Sequence, residues 1–109
     1  MALTPKVLGQ SNPSATTLTA AYTVPASTKT TVSTITVANR SGTSTSFRIS
    51  IAKAGAADSL EQYIYYDIAI PGNDTFAATI GITLEPTDVV RVYATLATLS
   101  FNVFGIEET

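Results

Sequence analysis

Between its turn signals the chain alternates apolar and polar residues with a period of two. Phe47, Ile49 and Ile51 alternate with Ser46, Arg48 and Ser50. Phe76, Ala78, Ile80, Ile82 and Leu84 alternate with Thr75, Ala77, Thr79, Gly81 and Thr83. Val90, Val92 and Ala94 form a third set, and Leu99, Phe101 and Val103 a fourth. Successive side chains of a strand point to opposite faces. Each set therefore predicts a half-buried β-strand with its apolar members on the core.

Two stretches bear on this pattern differently. In Thr31–Ala38, Ile35 and Val37 share one face, and strict alternation puts Val32 on the other. In Tyr63–Ile70, alternation assigns Ile64, Tyr66, Ile68 and Ile70 to the core. Tyr63 and Tyr65 then stand on the outer face. Two earlier strands are expected near Val7–Gln10 and Thr17–Val24.

The breaks between strands are chemically defined. Asn12-Pro13-Ser14, Pro25-Ala26-Ser27, Asn39-Arg40-Ser41-Gly42, Pro71-Gly72-Asn73-Asp74 and Glu85-Pro86-Thr87-Asp88 carry the residues that fix or tolerate turn conformations. One turn per about 8–12 residues is the spacing of a sandwich or barrel. Ala54–Gln62 is rich in helix formers but too short for an independent helix. It reads as a loop with one helical turn. Short connections imply antiparallel neighbours, because parallel ones need long crossovers. The expected fold is all-β: one antiparallel β-sandwich of about eight short strands spanning residues 1–109, jelly-roll or immunoglobulin-like.

Composition supports a sheet and excludes several functions. The chain holds 19 Thr and 10 Ser but only 13% charged residues. Thr is β-branched and suits a half-exposed pleated surface. A low charge density also fits faces that meet other protein. The six basic residues, Lys6, Lys29, Arg40, Arg48, Lys53 and Arg91, are scattered and the net charge is −2. That balance argues against nucleic-acid binding through phosphate neutralisation. No apolar run is long enough to span a bilayer, so no membrane partner is expected. Met1–Gln10 lacks the charged-then-apolar pattern of a secretory leader.

Site chemistry is sparse. There is no Cys and no His, which removes thiol chemistry, the commonest general base and the commonest transition-metal ligand. No Ser occupies a G-x-S-x-G context. The carboxylates fall in loose pairs, Asp58 with Glu61, Glu85 with Asp88, and Glu107 with Glu108. None has the density or the glycine of a calcium loop. Solvated or turn-capping roles are expected for all of them. Catalytic residues, metal ligands and cofactor sites are thus predicted to be none. Tyr63 and Tyr65 are the candidate interface residues, since Tyr adds contact area at low entropic cost. They also motivate a sugar-stacking alternative.

Several runs carry a family resemblance. They are Leu8-Gly9-Gln10-Ser11, Tyr22-Thr23-Val24-Pro25, Val37-Ala38-Asn39-Arg40, Asn73-Asp74-Thr75, Gly81-Ile82-Thr83-Leu84, Thr87 to Ala94 and Ser100 to Gly105. Together they resemble small structural proteins of tailed bacteriophages, across most of the chain. The resemblance implies a virion component without enzymatic activity or cofactor, and it transfers no functional residue. Its implied partners are other virion proteins and copies of itself, as in trimeric capsid decoration (cement) proteins. The alternative placement is a tail, baseplate or fibre-associated module, with carbohydrate binding for host adsorption as a further reading.

Overall fold

The turn residues divide the chain into eight strands. In the computed structural model, which describes residues 2–109, these are β1 (Leu3–Ser11), β2 (Thr19–Thr23), β3 (Lys29–Asn39), β4 (Thr45–Ala52), β5 (Tyr63–Ile70), β6 (Thr75–Leu84), β7 (Val89–Ala94) and β8 (Leu99–Glu108). The Ala54–Gln62 loop holds parts of two 3₁₀ turns, Lys53–Gly55 and Leu60–Gln62.

The strands form two four-stranded sheets, ordered β1-β8-β3-β6 and β2-β7-β4-β5. The pairs β1·β8, β2·β7, β3·β6 and β4·β5 are all antiparallel. Each strand thus pairs with its counterpart counted from the other end. This is a long hairpin folded double, and the fold is a jelly roll. An immunoglobulin-like sandwich orders its strands differently.

The core lies between the sheets. Val24, Val32, Ile35, Val37, Phe47, Ile49, Val90, Val92, Leu99, Phe101 and Val103 are all buried there. The alternation expected for β4, β6, β7 and β8 is present, with Phe47, Ala78, Leu84, Val92 and Phe101 turned inward. Phe47 packs against Phe76 at 5.2 Å and edge-on to Phe101 at 6.1 Å between ring centroids. These are favoured tilted and T-shaped arrangements.

Register shifts interrupt strict alternation, and two of them move residues relative to the expected core. The register of β3 against β8 shifts between Val32 and Thr34, so Ser33 has no partner. Its hydroxyl bonds the Phe104 carbonyl at 3.2 Å instead. An extra residue reverses the phase of everything beyond it. Val32 therefore shares the core with Ile35 and Val37, contrary to the sequence pattern.

The second bulge lies in β5, where Asp67 adopts a left-handed conformation with φ 53°. Pairing passes from Phe47↔Ile68 to Ile49↔Tyr65 across it. Tyr65 and Ile68 both turn to the core, and Ile64 and Tyr66 turn out with 42% and 49% exposure. The expectation that Tyr65 faces out while Ile64 and Tyr66 face in is thereby corrected. Asx residues tolerate this conformation better than other side chains.

The two sides of the sandwich differ. At the β1–β2 side the backbones meet closely: a Cβ on Gly9 would overlap the Ala21 carbonyl oxygen. At the β5–β6 side the two edge strands do not pair, and half-buried Tyr65, Ile68, Phe76, Ile80 and Ile82 pack there against the core.

Candidate functional site

The tyrosine run of β5 separates into two environments. Tyr65 meets the Phe76 ring edge-on at 5.4 Å and the Phe47 ring at 6.5 Å. It is a core-side residue. Tyr63 does lie on the outer side, where its hydroxyl donates to Asp58 at 3.1 Å. Burial, reinforced by Asp58, raises its pKa. Its ring stands edge-on to Tyr66 at 5.1 Å.

Tyr66 belongs to a stack that the period-two pattern concealed. Arg48 on β4 lies opposite Tyr93 on β7. Its guanidinium sits 4.1 Å from the Tyr66 ring centre and 4.5 Å from that of Tyr93. Asp67 anchors it, accepting from Arg48 Nε at 2.7 Å. That hydrogen bond raises the Arg48 pKa further. A cation held between two rings gains quadrupole attraction. The ring faces turned toward Arg48 are occupied, so they offer no free platform for a sugar. The signal for the stack was Asp67: a bulge there brings Tyr66 to the Arg48 face.

Next to this stack, the Lys53–Gln62 segment covers the end of the sheet. Arg91 donates to the carbonyls of Ala56 at 2.8 Å and Gly55 at 3.2 Å. Asp88, which is buried, accepts from the Ala54 and Glu85 amides at 2.8 and 2.9 Å. It has the turn-capping role expected for it. Beneath lies Ser50, fully buried with no partner for its hydroxyl.

The outer face of the β1-β8-β3-β6 sheet is different in kind. Three cross-strand rows run over it: Pro5–Ile106–Thr31–Thr83, Val7–Phe104–Thr34–Thr79 and Gln10–Asn102–Thr36–Ala77. None of these twelve positions carries a charge. Charge appears only at the end of the face, where Lys29 pairs with Glu108. Leu3, Val7 and Ile106 are exposed on it at 62%, 49% and 37%. A charge-free surface of this extent, apolar along β1 and β8 and hydroxyl-rich along β3 and β6, desolvates at lower cost than a charged one.

One polar cluster lies inside the sandwich. Tyr22 on β2 donates to Glu107 on β8 at 2.6 Å, and Thr30 on β3 shares a 2.8 Å hydrogen bond with the same phenol. Lys6 on β1 reaches Glu107 at 2.8 Å. Lys6, then Tyr22, holds the Glu107 carboxyl below its usual pKa. Burial, then Glu107, pushes Tyr22 up to about 12. Glu107 is 8% exposed, which corrects its assignment as a solvated carboxylate. The signal was present: Glu107 continues the inward series Leu99, Phe101, Val103 and Gly105. The cluster is closed and joins four strands, so its chemistry is cohesive.

Two shallow hollows lie on the surface. One is lined by Gln10, Ser11, Asn12, Ser100, Phe101 and Asn102, the other by Ser27, Thr28, Lys29, Pro86, Glu108 and Thr109. The second places Ser27 and Thr28 beside Lys29 and Glu108, but the Thr28 hydroxyl donates to the Ala26 carbonyl rather than to either. Among the described residues no three carboxylates converge as metal ligands, and no helix is long and apolar enough to cross a membrane. Comparison with protein-family models, with curated proteins and with solved structures finds no match.

Proposed function

We infer that this chain is a non-enzymatic structural protein of a tailed-bacteriophage virion, placed on the head surface as a capsid decoration protein. The observation that carries this reading is the uncharged outer face of the β1-β8-β3-β6 sheet. A rigid sheet presenting Val7, Phe104, Ile106 and rows of threonine suits packing against other protein subunits. Repetition in a symmetric shell multiplies such contacts, so each can be modest. The phage assignment itself rests on the sequence resemblance. The partners are the major capsid protein and further copies of this chain.

Quantitative mass spectrometry of purified virions tests the placement. A decoration protein is present in fixed, near-stoichiometric proportion to the major capsid protein. A handful of copies per particle overturns head decoration and points to a tail, baseplate or fibre module. Absence from purified particles overturns the virion reading altogether.

A further inference from the structure

We propose that the free edge of β6 pairs with β6 of a second copy of this chain, antiparallel across a two-fold axis, joining two β1-β8-β3-β6 sheets into one continuous eight-stranded sheet. An edge strand presents unpaired N–H and C=O groups, and proteins guard such edges with charge, proline, bulges or shortness. Three of the four edges here are guarded. β1 contains Pro5 and Lys6 and is approached by β2 at Gly9. β2 has five residues and a register shift between Ala20 and Tyr22. β5 is broken by Asp67 in its left-handed conformation.

β6 lacks these devices over its first half. Thr75–Thr79 runs in unbroken register against β3, and the only irregularity follows at Ile80–Gly81. The segment has neither charge nor proline. Self-pairing also avoids a like-charge clash. In an antiparallel pair, residues that meet share a face, so the two-fold axis passes through a residue such as Ala77 or Ala78. Asp74, at the start of the strand, then lies opposite Ile80 or Ile82 and never opposite its own copy. Half-buried Phe76 would meet Ala78 of the second copy with the axis through Ala77, or Ile80 with the axis through Ala78, and lose water contact in either case. An isologous contact of this kind closes on itself as a dimer. The pairing is independent of whether the chain sits on the head or the tail.

Multi-angle light scattering and disulfide trapping test it. The chain has no cysteine, so one introduced thiol has no competitor. Directly opposed Cα atoms in an antiparallel pair lie about 4.5–5.5 Å apart, within disulfide reach. Ala77→Cys, or Ala77→Cys with Thr79→Cys for the axis through Ala78, should yield a covalent dimer under mild oxidation by glutathione disulfide. Ala20→Cys on the exposed face of β2 should not. Ala77→Lys should raise the dimer dissociation constant by about tenfold or more, because it sets like charges across the axis. Ala77 is exposed, and an unchanged circular dichroism spectrum checks that the variant folds. The proposal fails if the unmodified chain stays monomeric at its highest soluble concentration, or if the β6 and β2 cysteines cross-link alike. If it is monomeric and Ala77→Lys nevertheless abolishes incorporation into virions, the edge accepts a strand of another protein and self-pairing is overturned. Virion copy number is measured separately, so failure of the dimer leaves the decoration reading to its own test.

Discussion

Tyr22 and Glu107 stand on opposite sheets and are joined by a 2.6 Å hydrogen bond through the interior. Both partners are buried, at 8% exposure each. A hydrogen bond to a charged group contributes about 1.5–3 kcal/mol. Tyr22→Phe and Glu107→Gln should each lower unfolding free energy by about 1–3 kcal/mol. Urea denaturation of the two single variants and the double variant measures their coupling. Additive losses would show that the bond contributes no stability of its own.

The same pair couples stability to pH. Glu107 has its pKa lowered, by Lys6 first and Tyr22 second. Its contribution is full above the unfolded carboxyl value of about 4.3 and is lost as pH falls through the lower folded value. Tyr22 is raised to about 12, chiefly by burial. Its contribution is full below the unfolded value of about 10 and is lost as pH rises through the folded one. Thermal unfolding followed across pH should show a plateau with both flanks. Glu107→Gln should flatten the acid flank, and Tyr22→Phe the alkaline one.

Neighbouring tyrosines should respond to truncation to different degrees. Tyr65→Ala removes a ring packed on Phe47 and Phe76 and should cost about 2–4 kcal/mol, near the low end for an aromatic core residue because Tyr65 is only half-buried. Tyr66→Ala removes an exposed ring stacked on Arg48 and should cost about 0.5–1 kcal/mol. Equal losses would contradict the phase reversal at Asp67.

Two buried polar groups under the Lys53–Gln62 segment make a second contrast. Asp88→Ala deprives the Ala54 and Glu85 amides of their acceptor and should destabilise by about 1–3 kcal/mol. Ser50→Ala removes a hydroxyl without a partner and should be neutral or stabilising by up to about 1 kcal/mol. Denaturant midpoints at constant slope compare them directly.

The sandwich was legible because strand period and turn chemistry agreed. Pro71-Gly72 and Glu85-Pro86 bracket β6, and Val90, Val92 and Ala94 lie inward as the period requires. The jelly-roll order was not legible, since strand pairing depends on contacts between distant segments. Tyr65 was misplaced because a bulge adds one residue without altering the sequence pattern, and only Asp67 marked the position. Glu107 was misplaced for the opposite reason: its composition suggested water, while its place in the β8 period put it inside.

The pairing of β1 with β8 also governs when the molecule can form. Leu3 has its partner at Glu108 and Ser11 at Phe101, so the first strand stays unmatched until the last has been synthesised. Contacts of such sequence separation close slowly, on about the millisecond-to-second scale. A ribosome-bound chain lacking β8 exposes the edges of both β1 and β3. Emergence of β8, rather than of any earlier strand, is therefore the event that completes the β1-β8-β3-β6 sheet.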